Sequence, residues 1–320
     1  MGLDRQVAAI LELGAKAGRP PYETLSPAQA RRQYVETRMA LQPPPAPVAS
    51  VKDVAVAGAG GPLMLRFYRP QGAAPNALLP ALVFFHGGGW VLGDLESHDA
   101  LCRQLANDSQ VAVVAVGYRL APEHKFPAAF EDALLATRFV ARQGAAHGID
   151  IHRLAVGGDS AGGNLAAAVA LAARDQGGPA LGFQLLIYPV VDLGMGSDSF
   201  RRHGQGYFLT RPMMGWFIDH YAAPADRADW RASPLLAASL AGLPPALVVT
   251  AGFDPLVDEG EAFAKRLREE GGLADYICYG GMIHGFFNMA GGVATANRAI
   301  AHAGAALHQA LWDQDEPAGR

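Results

Sequence analysis

Apolar positions change their period twice along the chain. Leu3, Val7, Ile10, Leu11 and Leu13 recur at helical spacing, and Ser26-Pro27 opens a second helical stretch to about Leu41. Ser26 reads as its N-cap and Pro27 as its first helical position. Pro43, Pro44, Pro45 and Pro47 then form a stiff extended connector. Residues 51–56 and 63–68 alternate apolar with other residues around a glycine-rich turn at 58–61, as an antiparallel pair would.

Beyond residue 80 the pattern becomes strand, loop, helix, repeated. Strands are predicted at 81–85, 111–116, 153–156, 183–187, 246–250 and 275–278, with helices at about 97–107, 128–142, 161–174, 257–270 and 294–311. Near-continuous apolar strands separated by helices predict an α/β protein whose parallel sheet is covered on both faces. The rhythm breaks once, at 193–229, where 212–221 reads as helical and no strand intervenes. This segment is expected to be an insertion at the strand ends, over the site.

Composition narrows the class. At 320 residues the chain can bury about three quarters of its unfolded surface, enough for one large core with an appended lid. With 50% hydrophobic and 18% charged residues and a net charge of -4, it reads as an ordinary soluble protein with no basic excess for nucleic acid. Cys102 and Cys278 are expected to be free buried thiols in a reducing cytosol, so a cytoplasmic location is predicted. The N-terminus does not read as a secretory signal. Uncharged runs at 70–93, 232–253 and 276–297 reach membrane-span length, but prolines and glycines break each of them into strand plus loop.

The candidate chemistry centres on Gly158-Asp159-Ser160-Ala161-Gly162, where an apolar run turns into a helix former. That is the pattern of a nucleophile elbow, which presents Ser160 above the sheet with the N-terminus of the next helix aimed at it. The strand ending in Phe84-Phe85-His86 runs into three glycines, Gly87, Gly88 and Gly89. Backbone N–H groups of Gly88, Gly89 and Ala161 can supply the two or three donors that a tetrahedral oxyanion needs. The base is expected after the last strand, where His284 stands, and its orienting acid after the preceding strand, at Asp254. Asp254-Pro255 also reads as a helix cap, and Asp258 and Asp192 are the other acids considered. The resulting order is Ser, Asp, His. No glycine-rich phosphate loop follows a strand and no metal-ligand cluster is visible, so no cofactor and no metal are predicted.

From about Val51 to the C-terminus the sequence resembles the hormone-sensitive-lipase-like family, the bacterial family IV carboxylesterases of α/β-hydrolase fold. The resemblance rests on HGGGW at His86 to Trp90, YRLAPEHKFPAA at Tyr118 to Ala129, GDSAGGN at Gly158 to Asn164, DPLVDEG at Asp254 to Gly260, and HGF at His284 to Phe286. Val257 stands where the family often has arginine. The resemblance implies a mostly parallel sheet flanked by helices with a helical cap. The cap would comprise residues 1–47 and an insertion at 193–229, and the core 48–192 and 230–320. It implies hydrolysis of small-molecule esters with short-to-medium acyl chains, with Ser160 as nucleophile, His284 as base, Asp254 as acid and Gly88, Gly89 and Ala161 as oxyanion donors. An amidase resembling arylformamidases on the same triad, or a non-catalytic small-molecule receptor on the same fold, are the alternatives; His284 argues against the receptor. A homodimer is left open.

Overall fold

An eight-stranded sheet organises the chain in the order β1-β2-β4-β3-β5-β6-β7-β8. The structure is a computed structural model and describes residues 2–313; Met1 and 314–320, assigned above to the ends of the cap and core, lie outside the described residues. The strands are β1 (Ser50–Gly58), β2 (Gly61–Arg69), β3 (Leu79–Phe85), β4 (Ala112–Gly117), β5 (Ile149–Asp159), β6 (Phe183–Ile187), β7 (Ala246–Phe253) and β8 (Ala274–Ile283). β1 and β2 are antiparallel, and β2 joins β4 antiparallel. The other neighbours are parallel, so this is the mostly parallel sheet that the resemblance implies.

Alternation along β3 explains the layers. Ala81, Val83 and Phe85 enter one core with α4 (Ala128–Gln143), α5 (Ala161–Asp175) and α8 (Val257–Glu269), while Leu82 and Phe84 enter another with α3 (Asp99–Ser109) and α9 (Ala294–Trp312). Both faces of the sheet are thereby covered, which is why its central strands read as unbroken apolar runs. Before the sheet come α1 (Arg5–Lys16), capped by the Asp4 side chain, and α2 (Pro27–Leu41), which Ser26 and Gln29 close with a capping box. The segment after β6 holds α6 (Asp198–His203) and α7 (Arg211–Tyr221).

Three expectations need correction. α6 is absent from the sequence reading because six residues are too few to show a period, although they bury Phe200. β8 continues to Ile283 and does not stop at Cys278. Gly280, which resembles a loop residue, is instead part of β8, and Gly252 of β7 lets the two strands approach: a Cβ on Gly252 would lie 2.4 Å from the Gly280 carbonyl oxygen. Cys278 is exposed and only Cys102 is buried, both as free thiols. β8 is the last strand of the sheet, so one edge has no neighbour to cover it. Among the described residues no helix is long and apolar enough to cross a membrane.

Candidate active site

The C-terminal ends of β5, β7 and β8 meet at one side of the sheet. β5 runs directly into Ser160, whose φ of 58° and ψ of -117° lie where a side chain is rarely tolerated. The turn is held from both sides. The Ser160 N–H donates to the Ile187 carbonyl at 2.8 Å, and its own carbonyl accepts from Asn164 at 3.0 Å and Val190 at 3.3 Å. A Cβ on Gly162 would lie 1.8 Å from the Phe85 carbonyl oxygen, so the helix can follow this turn only with glycine there.

His284 leaves the end of β8 and Asp254 the end of β7. His284 Nε2 lies 2.9 Å from Ser160 Oγ, and its Nδ1 lies 2.7 Å from Asp254 Oδ2. All three side chains are buried. Because a carboxylate only accepts, Nδ1–H donates to Asp254 and Nε2 is left to accept the serine proton. The second oxygen of Asp254 accepts the Leu256 N–H at 2.9 Å, which fixes the carboxylate plane. The other two acids face elsewhere. Asp258 accepts from the Ser199 N–H at 2.8 Å and pairs with Arg202, while Asp192 accepts from the Gly194 N–H.

Pairing of Phe85 with Gly158 sets the glycine loop beside the elbow. The loop turns tightly, with the N–H groups of Val91 and Leu92 both directed at the Gly88 carbonyl. Gly89 has φ +60°, and a Cβ there would lie 2.2 Å from the Phe217 ring of α7, which covers the loop. No acceptor among the described residues takes the N–H of Gly88, Gly89 or Ala161.

Around these groups lies a buried polar shell for which the sequence reading assigned no role. Asp159 accepts the Gly87 N–H at 2.8 Å and the Asn288 amide at 3.1 Å, and its carboxylate lies 3.2 Å from His98 Nε2. Burial alone would raise its pKa, but His98, Arg38 and the Gly87 N–H outweigh that and hold it at about 2. His86 stacks on Tyr118 at 4.3 Å; burial first, and then His98, push its pKa down to about 4. Glu259 is buried on α8 and accepts the Val191 N–H at 2.8 Å, pinning the loop after β6. Asp159 is the one charged residue of the GDSAGGN run, and that was the available signal for it.

A cavity of about 610 Å³ opens between α1, α2 and residues 206–208, lined by Ile10, Leu11, Leu41, Tyr207 and Phe208 among others. The triad is not among its lining residues. Among the described residues, no group of three or more His, Cys, Asp or Glu is placed to hold a metal ion.

Comparisons with known proteins agree with this fold. Residues 82–288 match a family model described as alpha/beta hydrolase fold. The chain is 45% identical over 267 residues to the carboxylic ester hydrolase LipN of Mycobacterium tuberculosis, covering 81% of this chain and 70% of that protein. It is 40% identical over 320 residues to an ethyl acetate hydrolase of Pseudomonas putida, covering 97% of this chain and 100% of the other. Among solved structures, a thermostable esterase from Pseudomonas putida superposes with a TM-score of 0.93 at 41% identity, covering 97% of this chain and 98% of that one.

Proposed function

The chain belongs to the α/β-hydrolase family that includes these esterases, and from that premise we infer that it is a serine carboxylesterase in which Ser160, His284 and Asp254 form the triad. The observation that carries the assignment of roles is the unbroken line from Ser160 Oγ through His284 to Asp254, at 2.9 and 2.7 Å. His284 takes the serine proton as Oγ attacks the ester carbonyl, and the imidazolium that forms is stabilised by Asp254. The N–H groups of Gly88, Gly89 and Ala161 receive the oxyanion. Collapse of the tetrahedral intermediate expels the alcohol, which takes the proton from His284. Water then repeats the cycle on the acyl-enzyme and releases the acid.

Asp159 acts at one remove. By accepting the Gly87 N–H while sitting next to the nucleophile, it ties the glycine loop to the elbow, so that donors and serine keep one spacing. We assign residues 1–47 and 193–229 to a cap over a core of 48–192 and 230–320, and the cavity between α1 and α2 to the far end of the acyl chain, reached past Phe208, which lines it and lies against Arg38 beside the histidine loop. Short-to-medium chains fit its volume, and ethyl acetate in the name of one relative accords with the short end. We place the protein in the cytoplasm, where Cys102 and Cys278 remain thiols.

Ser160→Ala should abolish turnover of p-nitrophenyl acyl esters and covalent labelling by an organophosphate, with an unchanged circular dichroism spectrum. Hydrolysis above water on the order of 10³-fold is compatible with the reading, since the oxyanion donors persist. Labelling that survived the substitution would overturn it.

A further inference from the structure

Arg38 is 4% exposed, and no carboxylate of the described residues lies within ion-pair distance of it. Its position follows from the course of α2. Ala30 and Tyr34 pack into the same core as Trp90, Val91 and Leu92 of the glycine loop, and one turn later Arg38 Nη1 donates to the Gly285 carbonyl at 3.2 Å. Gly285 follows the triad histidine, so α2 spans the interval from the oxyanion donors to the base. The guanidinium is fixed between two rings, 4.9 Å from the centroid of Tyr34 and 5.4 Å from that of Phe208.

Three buried donors at this place have no partner among the described residues: the Arg38 Nε–H and the hydroxyls of Tyr34 and Tyr188. Tyr188 is held at φ 34° with its ring 4.7 Å from that of His284. The charge of Arg38 acts on both tyrosines. Asp159 attracts Arg38 from a distance, but its own oxygens are engaged by Gly87, His98 and Asn288. A buried guanidinium whose Nε–H has no acceptor, beside a Tyr34 hydroxyl that faces only that cation and a Tyr188 hydroxyl with no partner, is costly, and a carboxylate is the group that accepts from such donors. Hydrolysis of a simple neutral ester gives no reason to keep such a cluster beside the triad.

We propose that Arg38, Tyr34 and Tyr188 form an anion site that holds a free carboxylate on the substrate, so that the esters turned over best are half-esters of short dicarboxylic acids or acyloxy acids. The proposal rests on the esterase reading above, and names its substrate class.

The test compares ethyl hydrogen succinate with ethyl succinamate, which is nearly isosteric and uncharged. The parent should favour the acid by about tenfold or more in kcat/KM, mainly through KM. Arg38→Gln should bring that ratio to within about threefold of one, whatever loss the two esters share, and Arg38→Lys should retain part of it. A ratio near one in the parent overturns the proposal, as does an Arg38→Gln variant that lowers both esters equally; the arginine would then only position Gly285 and the histidine loop. Ser160-dependent hydrolysis of ethyl succinamate with no preference for the acid removes the anion site and leaves the esterase standing. If neither ethyl ester were hydrolysed, turnover of p-nitrophenyl esters would still decide the esterase reading, and succinate protection of Ser160 against organophosphate labelling, weakened in Arg38→Lys and lost in Arg38→Gln, would decide the anion site by itself.

Discussion

Asp254 shows how one side chain can carry two duties without conflict. One oxygen accepts from His284 and the other from the Leu256 N–H, so the turn that starts α8 also aims the carboxylate at the imidazole. Asp254→Asn keeps the size but offers an amide donor to Nδ1, which favours the wrong tautomer. The kcat on a p-nitrophenyl ester should drop by roughly 10⁴ while the melting temperature stays close to that of the parent. Asp258→Asn should leave kcat within a few-fold and lower stability by about 0.5 to 1 kcal/mol, through the helix start and the contact with the Ser199 N–H. Activity retained within tenfold in Asp254→Asn would remove it from the triad.

At the scale of elements, α2 is a structural part of the site. Arg31 Nε donates to the Val91 carbonyl and Nη2 to that of Ala121, both at 2.8 Å, and the same guanidinium pairs with Glu123. Those contacts clamp α2 onto the glycine loop. Val7, Ala30 and Tyr34 are buried, so removing the first two helices would uncover apolar surface and confound any change in substrate preference with aggregation. Filling the cavity is the cleaner experiment. Leu11→Trp should lower kcat/KM for octanoyl relative to acetyl p-nitrophenyl esters by about tenfold, a loss of the size that pocket methylenes typically supply. An unchanged ranking of chain lengths would move the acyl chain out of this cavity. α7 bears on the site differently, since its Phe217 ring packs where a side chain on Gly89 would stand.

Across the whole molecule, acid should act through groups buried in the active-site shell. His86 has its pKa depressed from the ordinary 6.5 to about 4, mainly by burial. Between these values the unfolded chain binds the proton and the folded one does not, so stability is full above about pH 6.5 and falls as pH drops through that window. The loss from this group reaches about 3 kcal/mol near pH 4. Asp159, held at about 2 against an ordinary value of 3.8, continues the trend: its contribution is present above about pH 4 and is lost as pH falls through 2. Because burial raises the pKa of Glu259 and acts in the opposite sense, the His86 effect is read as the difference in urea stability between the parent and His86→Asn at pH 7, 5 and 3; a difference that did not change from pH 7 to 4 would contradict the assignment for His86.

Much of this was legible along the chain because it depends on near neighbours. Periodicity located all eight strands, and Ser26-Pro27 located the start of α2, since the groups that cap a helix or turn a strand lie within a few residues of it. The order of Ser160, Asp254 and His284 was readable because each follows a strand, and a parallel sheet brings all such ends to one edge. Only the tertiary structure decided which face each residue meets. It set Cys278 on the open side of an edge strand and used Gly252 for the contact of two strands. It closed Asp159 among His98, Gly87 and Asn288, and it carried Arg38 from an N-terminal helix to the carbonyl of Gly285, 247 positions along the chain. Those environments arise from packing between segments far apart in sequence, where no local period records the neighbour.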